Sequence, residues 1–144
     1  MSKSIAIGGD HAGYEFKQRI MMILKEKGWD VKDFGPFTSD AVDYPDFIHP
    51  LCKAIENGEM KWGIIICGSG NGVAITANKY QGIRAAICWN EELASLSRQH
   101  NDANLLAIPA RFVPFELAEK MAEIFLNTDF EGGRHQRRVN KIPC

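Results

Sequence analysis

Long apolar runs are missing from this sequence of 144 residues. No stretch approaches the ~20 consecutive apolar residues of a membrane-spanning helix, and the first residues lack the basic and apolar regions of a secretory signal. An excess of one charge is missing too, because 17 Lys and Arg residues stand against 18 Asp and Glu residues, for a formal net charge of −1. A nucleic-acid footprint over the whole surface is therefore not expected, although a local basic patch remains open. We predict a cytoplasmic protein with no membrane and no nucleic-acid partner.

Metal-binding and nucleotide-binding signatures are missing as well. The four cysteines form no CxxC pair and show no metal-ligand spacing, so we interpret them as reduced thiols and expect no zinc. They are Cys52, Cys67, Cys88 and Cys144. The dinucleotide fingerprint GxGxxG is absent, and no Walker lysine follows either glycine-rich loop, which argues against NAD and P-loop ATP binding. There is no internal repeat, linker or low-complexity segment. The length therefore predicts a single domain over residues 1–144.

The sequence does contain short β-branched runs that alternate with amphipathic segments. These runs predict five strands, over residues 4–8, 29–34, 64–67, 83–88 and 104–109. Helices are predicted between the strands, followed by a fifth helix with Pro114 near its first turn and a short basic helix over 134–139. The alternation predicts an α/β fold, a Rossmann-like three-layer sandwich with a five-stranded parallel sheet and a C-terminal basic helix.

Polar residues occur close to the ends of several predicted strands. Asp10 and His11 follow the first strand, Cys67 ends the third, and residues 100–102 lie in the connection before the fifth. Ligands of open parallel sheets bind beyond the carboxyl ends of the strands. We therefore expect these three groups to meet at that edge of the sheet.

The most informative stretch is the strand end Ile66-Cys67 followed by Gly68-Ser69-Gly70-Asn71-Gly72. Glycines at a strand-to-helix turn allow positive φ angles and close approach of a ligand to the backbone. A cysteine thiolate beside a helix N-terminus can act as a base or nucleophile, and the loop N–H groups can hold a negatively charged oxygen. A buried structural cysteine before an ordinary glycine turn is the alternative.

Other polar residues also have two interpretations. Asp10 can cap a helix, with His11 on the surface. His100 can be a general acid or base near neutral pH, or it can cap the C-terminus of a helix. Arg134 and Arg138 share a helical face and can bind phosphate, or they can belong to a solvated charged helix. RNA contacts by this basic helix remain open, but no aromatic ladder accompanies it.

Seven motifs, spread over nearly the whole chain and in a fixed order, carry a resemblance to a known family. The sequence resembles the type B ribose-5-phosphate isomerases, whose superfamily includes galactose-6-phosphate and allose-6-phosphate isomerases. The motifs are Gly-Asp-His-Ala-Gly from Gly9, Asp43-Tyr44-Pro45, the stretch 66–72, Ala77-Asn78-Lys79, Gly82-Ile83-Arg84-Ala85, the polar stretch 97–104 and Glu131-Gly132-Gly133-Arg134-His135.

The resemblance implies an aldose–ketose isomerase that needs no cofactor or metal. It would interconvert ribose 5-phosphate and ribulose 5-phosphate through an enediolate, in the non-oxidative pentose phosphate pathway. It implies that Cys67 is the base, that Ser69 (threonine in many members) assists proton transfer, and that His100 with Asp10 assists ring opening. Substrate binding would fall to His11, Tyr44, Gly68, Gly70, Asn71, Gly72, Asn101, Arg111, Arg134 and Arg138.

The resemblance also implies assembly. Family members are homodimers, sometimes tetramers, whose active sites are completed by the neighbouring subunit, and His100 and the Arg134–Arg138 helix are the segments expected to take part. One branch of the family has a glutamate after the glycine loop in place of the cysteine, whereas this chain has Val73 there. A six-carbon substrate (allose or galactose 6-phosphate), a non-catalytic sugar-phosphate-binding protein and an RNA-binding protein are the alternatives.

Overall fold

Five parallel strands form the centre of the structure, a computed structural model that describes residues 3–144. The sheet has the order β2-β1-β3-β5-β4, and each pair of neighbours is parallel. The predicted α/β class with a five-stranded parallel sheet is therefore confirmed. The strands are β1 (Ser4–Gly9), β2 (Asp30–Asp33), β3 (Trp62–Cys67), β4 (Ala85–Ile87) and β5 (Leu105–Pro109).

Helices cover both faces of the sheet. One hydrophobic cluster joins it to α1, α4 and α5, and a second joins its other face to α2 and α3. None of the helices within residues 3–144 is long and apolar enough to cross a membrane. The helices are α1 (Tyr14–Glu26), α2 (Pro45–Glu56), α3 (Asn71–Ala77), α4 (Glu91–Gln99), α5 (Phe115–Asn127) and α6 (Arg134–Val139).

The middle strand, β3, is buried on both faces. Its side chains alternate, so Ile64 and Ile66 join the cluster under α1 and α5, while Ile65 and Cys67 join the cluster under α2 and α3. A strand covered on both sides needs apolar residues at every position, which is why this segment is a continuous apolar run in the sequence. Cys67 thus ends the central strand on its α2 and α3 face.

Element boundaries differ from the predictions at several places. Strand β3 begins at Trp62, two residues before its predicted start, and Pro114 lies just before α5 as its N-cap. Strand β4 is shorter than predicted because the Ile83 N–H donates to the Tyr80 carbonyl in a turn. Asn90 caps α4, since its Oδ1 accepts from the Leu93 N–H at 2.8 Å.

A buried arginine fixes the connection between α4 and β5. Arg98 is 4% exposed and donates to the Asp102 carboxylate at 2.8 Å and to the Ala103 carbonyl at 2.7 Å. Its guanidinium also lies 4.3 Å from the centre of the Trp62 ring. Because this cation is paired, hydrogen-bonded and stacked, its burial costs little. The segment after α4, which carries His100 and Asn101, is therefore held firmly at the start of β5.

Candidate active site

A cleft of about 410 Å³ opens at the carboxyl ends of β1 and β3. This volume falls within the range of small-molecule sites, and the cleft combines apolar walls with a few converging polar groups. Its position agrees with the general rule that ligands bind beyond the carboxyl ends of parallel strands. The lining residues are Asp10, His11, Ala12, Tyr44, Cys67, Gly68, Ser69, Gly72, Arg111 and Phe112.

Cys67 is the thiol at the base of this cleft. The other buried thiols face the core, where burial raises the pKa of Cys52 to about 12, with Glu56 adding to the shift, and burial raises the pKa of Cys88 to about 11. Neither Cys52 nor Cys88 ionises near neutral pH, and Cys144 is exposed at the end of the chain. Among the four thiols, Cys67 is the one placed to act on a ligand in the cleft.

The glycine loop after Cys67 forms one wall of the cleft. Gly70 adopts a left-handed conformation with φ of 77°, which a side chain would strain, and this turn starts α3. The Ser69 hydroxyl accepts from the Asn71 N–H at 3.2 Å. Gly72 lies under the Tyr44 ring so closely that a Cβ atom would stand 2.5 Å from it. The loop leads into α3, whose first turn has N–H groups without intrahelical acceptors.

Asp10 and His11 form the opposite wall. The Asp10 carboxylate is 8% exposed and accepts from the Ala12 and Gly13 N–H groups at 2.9 and 3.3 Å, so its predicted capping role is confirmed. The Val42 N–H donates to His11 Nδ1 at 3.2 Å. Since Nδ1 is an acceptor in this bond, the proton of the neutral imidazole lies on Nε2, which can donate to a ligand.

Arg111 brings a positive charge to the cleft. Its backbone N–H donates to the Gly68 carbonyl at 3.0 Å, and its side chain runs over Gly68, where an added Cβ would lie 3.2 Å from Cδ. The guanidinium carries five donors in a fixed fork that matches the oxygens of a phosphate. Arg111 and the His11 imidazole therefore offer an anion two kinds of donor within one cleft.

A buried ion pair supports the Asp10 wall from behind. The Lys17 side chain is 0% exposed, and its ammonium contacts the Asp33 carboxylate at 2.8 Å. Asp33 in turn accepts from the Gly35 N–H at 2.8 Å, and the Gly35 carbonyl accepts from the Gly9 N–H at 3.0 Å. This chain of bonds links α1 to the residue just before Asp10. The sequence analysis did not single out Lys17, because nothing in its local pattern distinguishes it from a solvated lysine.

Four predicted site residues lie far from this cleft. His100 and Asn101 precede β5, whose first residue, Leu105, pairs with Gly63 at the opposite end of β3 from Cys67. At about 3.3 Å per residue, that end lies roughly 13 Å from Cys67. The expectation that residues 100–102 share the carboxyl edge with Asp10 and Cys67 is therefore wrong. The physical reason is that a helix-to-strand connection in a parallel sheet returns to the amino edge.

Helix α6 lies at the same amino edge. The Glu131 N–H donates to the Gln99 carbonyl at 3.1 Å, and the His135 ring stacks on the His100 ring with their centres 4.2 Å apart. Arg134 and Arg138 are exposed on this helix. One chain thus carries two separate polar groups, the cleft with Cys67 and an amino-edge group around His100.

Most of the remaining predicted residues lie around one cleft. Asp10, His11, Tyr44, Gly68, Ser69, Gly72 and Arg111 line it together with Cys67. Asn71 lines an adjoining pocket with Ser69, and Gly70 is buried just before α3. Phe112, which was not predicted, is 74% exposed at the rim of the cleft. His135 at the amino edge was not predicted either, because its contact with His100 joins segments that are far apart in the sequence.

Known proteins match the chain along almost all of its length. The family model described as Ribose/Galactose Isomerase matches residues 5–142. Ribose-5-phosphate isomerase B of Escherichia coli (strain K12) is 46% identical over 140 residues, which cover 97% of this chain and 94% of that protein.

Solved structures agree with the sequence match. The structure of a Thermotoga maritima ribose 5-phosphate isomerase superposes with a TM-score of 0.96 at 43% identity and covers 99% of both chains. Ribose-5-phosphate isomerase B of Mycoplasma genitalium, solved with bound ribulose-5-phosphate, has a TM-score of 0.93 at 45% identity over 99% of this chain and 95% of that chain. With a full-length family match, high identity and the same fold, this chain belongs to the ribose/galactose isomerase family.

Proposed function

We propose that this chain interconverts ribose 5-phosphate and ribulose 5-phosphate, as a step of the non-oxidative pentose phosphate pathway in the cytoplasm. The observation that carries the proposal is the position of Cys67, in a cleft that Gly68, Ser69 and Gly72 line together with Asp10 and His11. A relative that is 45% identical over almost the same length has been solved with ribulose-5-phosphate bound. The four free cysteines fit a reducing compartment.

The chemistry is a proton transfer between two neighbouring carbons. In the open-chain aldose, the Cys67 thiolate removes the proton from C2, and the electron pair moves toward the C1 carbonyl to give an enediolate. The resulting thiol returns the proton to C1, while the Ser69 hydroxyl relays the proton that O2 loses to O1. The reaction needs no oxidant or reductant, because one carbon is oxidised as its neighbour is reduced.

The glycine loop supplies the stabilisation that a thiolate alone lacks. A sugar C–H is a weak acid, so the barrier falls only if the enediolate oxygen is held as its charge develops. We assign this role to N–H groups of the 68–72 loop, before and at the start of α3, and each well-placed donor contributes about 3–4 kcal/mol. Val73 is fully buried in the core, so no carboxylate of this loop competes with Cys67 as the base.

Phosphate binding anchors the other end of the substrate. His11 Nε2–H and the Arg111 guanidinium are the donors that one chain provides in the cleft. Binding energy from the phosphate, several bonds away from C1 and C2, positions the reacting carbons. We assign the phosphate to these two residues together with Arg134 and Arg138, and the sugar hydroxyls to Tyr44 and Asn101.

A second copy of the chain is needed to complete this site. His100, Asn101, Arg134 and Arg138 lie at the amino edge of their own sheet, too far from their own Cys67 to act on one substrate. Apolar side chains are exposed at the cleft and in the pocket that adjoins it, where Phe112 at the rim is 74% exposed and Trp89 is 57% exposed. Such a rim is typical of a protein interface. We propose a dimer in which the amino-edge group of each chain covers the cleft of the other.

An isomerase assay of the purified chain tests the substrate. We expect turnover of ribose 5-phosphate without added metal or cofactor, with a higher kcat/KM than for allose 6-phosphate or galactose 6-phosphate. Higher kcat/KM for a six-carbon sugar would assign the chain to that substrate instead. No turnover of any of the three would contradict the isomerase proposal and leave a non-catalytic sugar-phosphate-binding protein.

Mixing two inactive variants tests the sharing of the site. Cys67→Ala and His100→Asn each disable both sites of a homodimer. A mixed dimer of the two contains one site with both substitutions and one intact site. Random exchange makes half of the dimers mixed, so we expect recovery of about a quarter of the wild-type rate.

The matched control for this experiment mixes Cys67→Ala with Asp10→Asn. Both of these residues line the same cleft of one chain, so every site in the mixed dimer keeps one defect and no activity should return. Sharing would be refuted by a Cys67→Ala and His100→Asn mixture that stays inactive although native mass spectrometry detects the mixed dimer.

A further inference from the structure

The amino edge of the sheet carries a compact group of three metal-binding side chains, His100, Glu131 and His135. Each offers one ligand atom, and these atoms all lie within 4.8 Å of one another. Glu131 Oε1 lies 3.8 Å from His100 Nε2 and 3.6 Å from His135 Nε2. These separations exceed those of hydrogen bonds, so neither histidine is hydrogen-bonded to Glu131 and all three ligand atoms remain close together.

The spacing is close to that required by a tetrahedral metal ion. Ligands bound to zinc at about 2.0–2.2 Å stand roughly 3.4 Å apart. The two contacts between histidine and glutamate exceed that value by only a few tenths of an ångström. The two imidazole rings are stacked with 10° between their planes, so one ring must tilt to direct its lone pair at the ion. His100 is the ring with freedom to do so, because its side chain is 40% exposed while that of His135 is 10% exposed.

The backbone holds the three ligands in place. The Glu131 N–H donates a hydrogen bond to the carbonyl of Gln99, which ends α4 and precedes His100. Glu131 precedes α6, and His135 lies in the first turn of that helix, where its N–H donates to the Gly132 carbonyl. The group is therefore assembled by the packing of α6 on α4. Because its members come from separate elements, no ligand motif is visible in the sequence.

The charged side chains around the group act in opposite directions on a cation. The positive charge of Arg134 and Arg138 disfavours a cation, and the Glu131 carboxylate offsets part of that charge.

We propose that His100, Glu131 and His135 bind one divalent transition-metal ion of the zinc class, and that the bound ion inhibits the enzyme. Two imidazoles and a carboxylate are a donor set that zinc, cobalt and nickel accept. Inhibition follows because the ion takes the His100 ring away from ring opening in the partner's cleft. Metal binding stands on the geometry alone, whereas its inhibitory effect rests on the function proposed above.

Cobalt is the probe for binding, because tetrahedral Co²⁺ has visible absorption bands that report its ligands. Titration of the full-length protein with Co²⁺ should give one saturable site per chain, without the near-ultraviolet band of a cobalt–thiolate bond. Glu131→Gln, an exposed change that cannot disturb the core, and His135→Asn should each weaken binding by at least about tenfold. His49→Asn, which removes an exposed histidine on α2, is the matched control and should leave the affinity unchanged.

Two outcomes would overturn the site: unchanged Co²⁺ affinity in both Glu131→Gln and His135→Asn, or loss of binding in Cys67→Ala. Inhibition is measured separately by adding Zn²⁺ to the isomerase assay. The rate of each protein is compared with the rate of the same protein without metal. Half-inhibition of Glu131→Gln should need at least about tenfold more Zn²⁺ than half-inhibition of the wild type. Binding without loss of the wild-type rate would overturn the inhibitory effect. Because the cobalt titration needs no turnover, failure of the isomerase proposal leaves the binding test intact.

Discussion

Replacement of Cys67 by alanine is expected to lower kcat for ribose 5-phosphate by roughly a thousandfold or more, since general-base catalysis alone contributes 10²–10⁴-fold. No other thiol lines the cleft of the described chain, and the buried Val73 supplies no substitute base. The fold should survive, because Cys67 ends its strand and the smaller side chain removes only one buried atom. Substrate affinity should also survive, because the phosphate and the hydroxyl groups are held by other residues. Steady-state kinetics measures kcat, and isothermal titration calorimetry with ribose 5-phosphate measures the substrate affinity separately.

The matched control is Cys144→Ser, which changes the exposed thiol at the end of the chain. Its kcat should equal that of the wild type. If Cys67→Ala kept more than a tenth of the wild-type kcat, Cys67 would not be the base. If it lost substrate affinity in the same proportion as kcat, Cys67 would act in binding rather than in proton transfer.

Replacement of Asp33 by asparagine is expected to lower the free energy of unfolding by about 3 kcal/mol or more, because it leaves the buried Lys17 ammonium without a counter-charge. Lys17 is 0% exposed and Asp33 18%, so water reaches this pair poorly. Asparagine keeps an oxygen that can accept from the Gly35 N–H, so the change isolates the lost charge. Urea unfolding of the two proteins, followed by circular dichroism, measures the difference.

The chain contains a matched exposed pair for comparison. Lys32 and Glu59 approach to 3.4 Å, but their side chains are 54% and 50% exposed. Glu59→Gln should therefore change stability by less than about 0.5 kcal/mol. Adding Lys17→Met to Asp33→Asn should restore much of the lost stability, because the uncompensated buried charge is then gone. Equal effects of Asp33→Asn and Glu59→Gln would refute the importance of burial.

The five parallel strands and the position of Cys67 at the end of a buried strand could be predicted from the sequence. Ile64, Ile65 and Ile66 form a β-branched run that ends in glycines, and this local pattern is sufficient to place a buried strand, a tight turn and a helix start. Asp10 and Asn90 cap helices with their own side chains, and capping is likewise decided within a few residues. These features depend on neighbours in the chain, which is why sequence patterns report them well.

The features that depend on contacts between distant segments could not be predicted in the same way. Lys17 is buried because Asp33, 16 positions away, folds over it, and His100 meets His135 because α6 packs beside α4. The edge of the sheet on which His100 lies was open to prediction, since a helix-to-strand connection always returns to the amino edge. The prediction instead grouped residues 100–102 with the carboxyl ends of the strands, although these residues precede the fifth strand.

The placement of Cys67 and His100 at opposite edges of the sheet has a consequence for how activity depends on protein concentration. In the proposed scheme a folded monomer is inactive whatever its stability, because its own His100 lies at the opposite edge of the sheet from its Cys67. At dilutions where monomers dominate, the rate grows with the square of the chain concentration, because each working site needs two chains. Newly made chains therefore gain activity only after they meet a correctly folded copy. In the proposed scheme, activity therefore appears only when two correctly folded chains have formed a dimer.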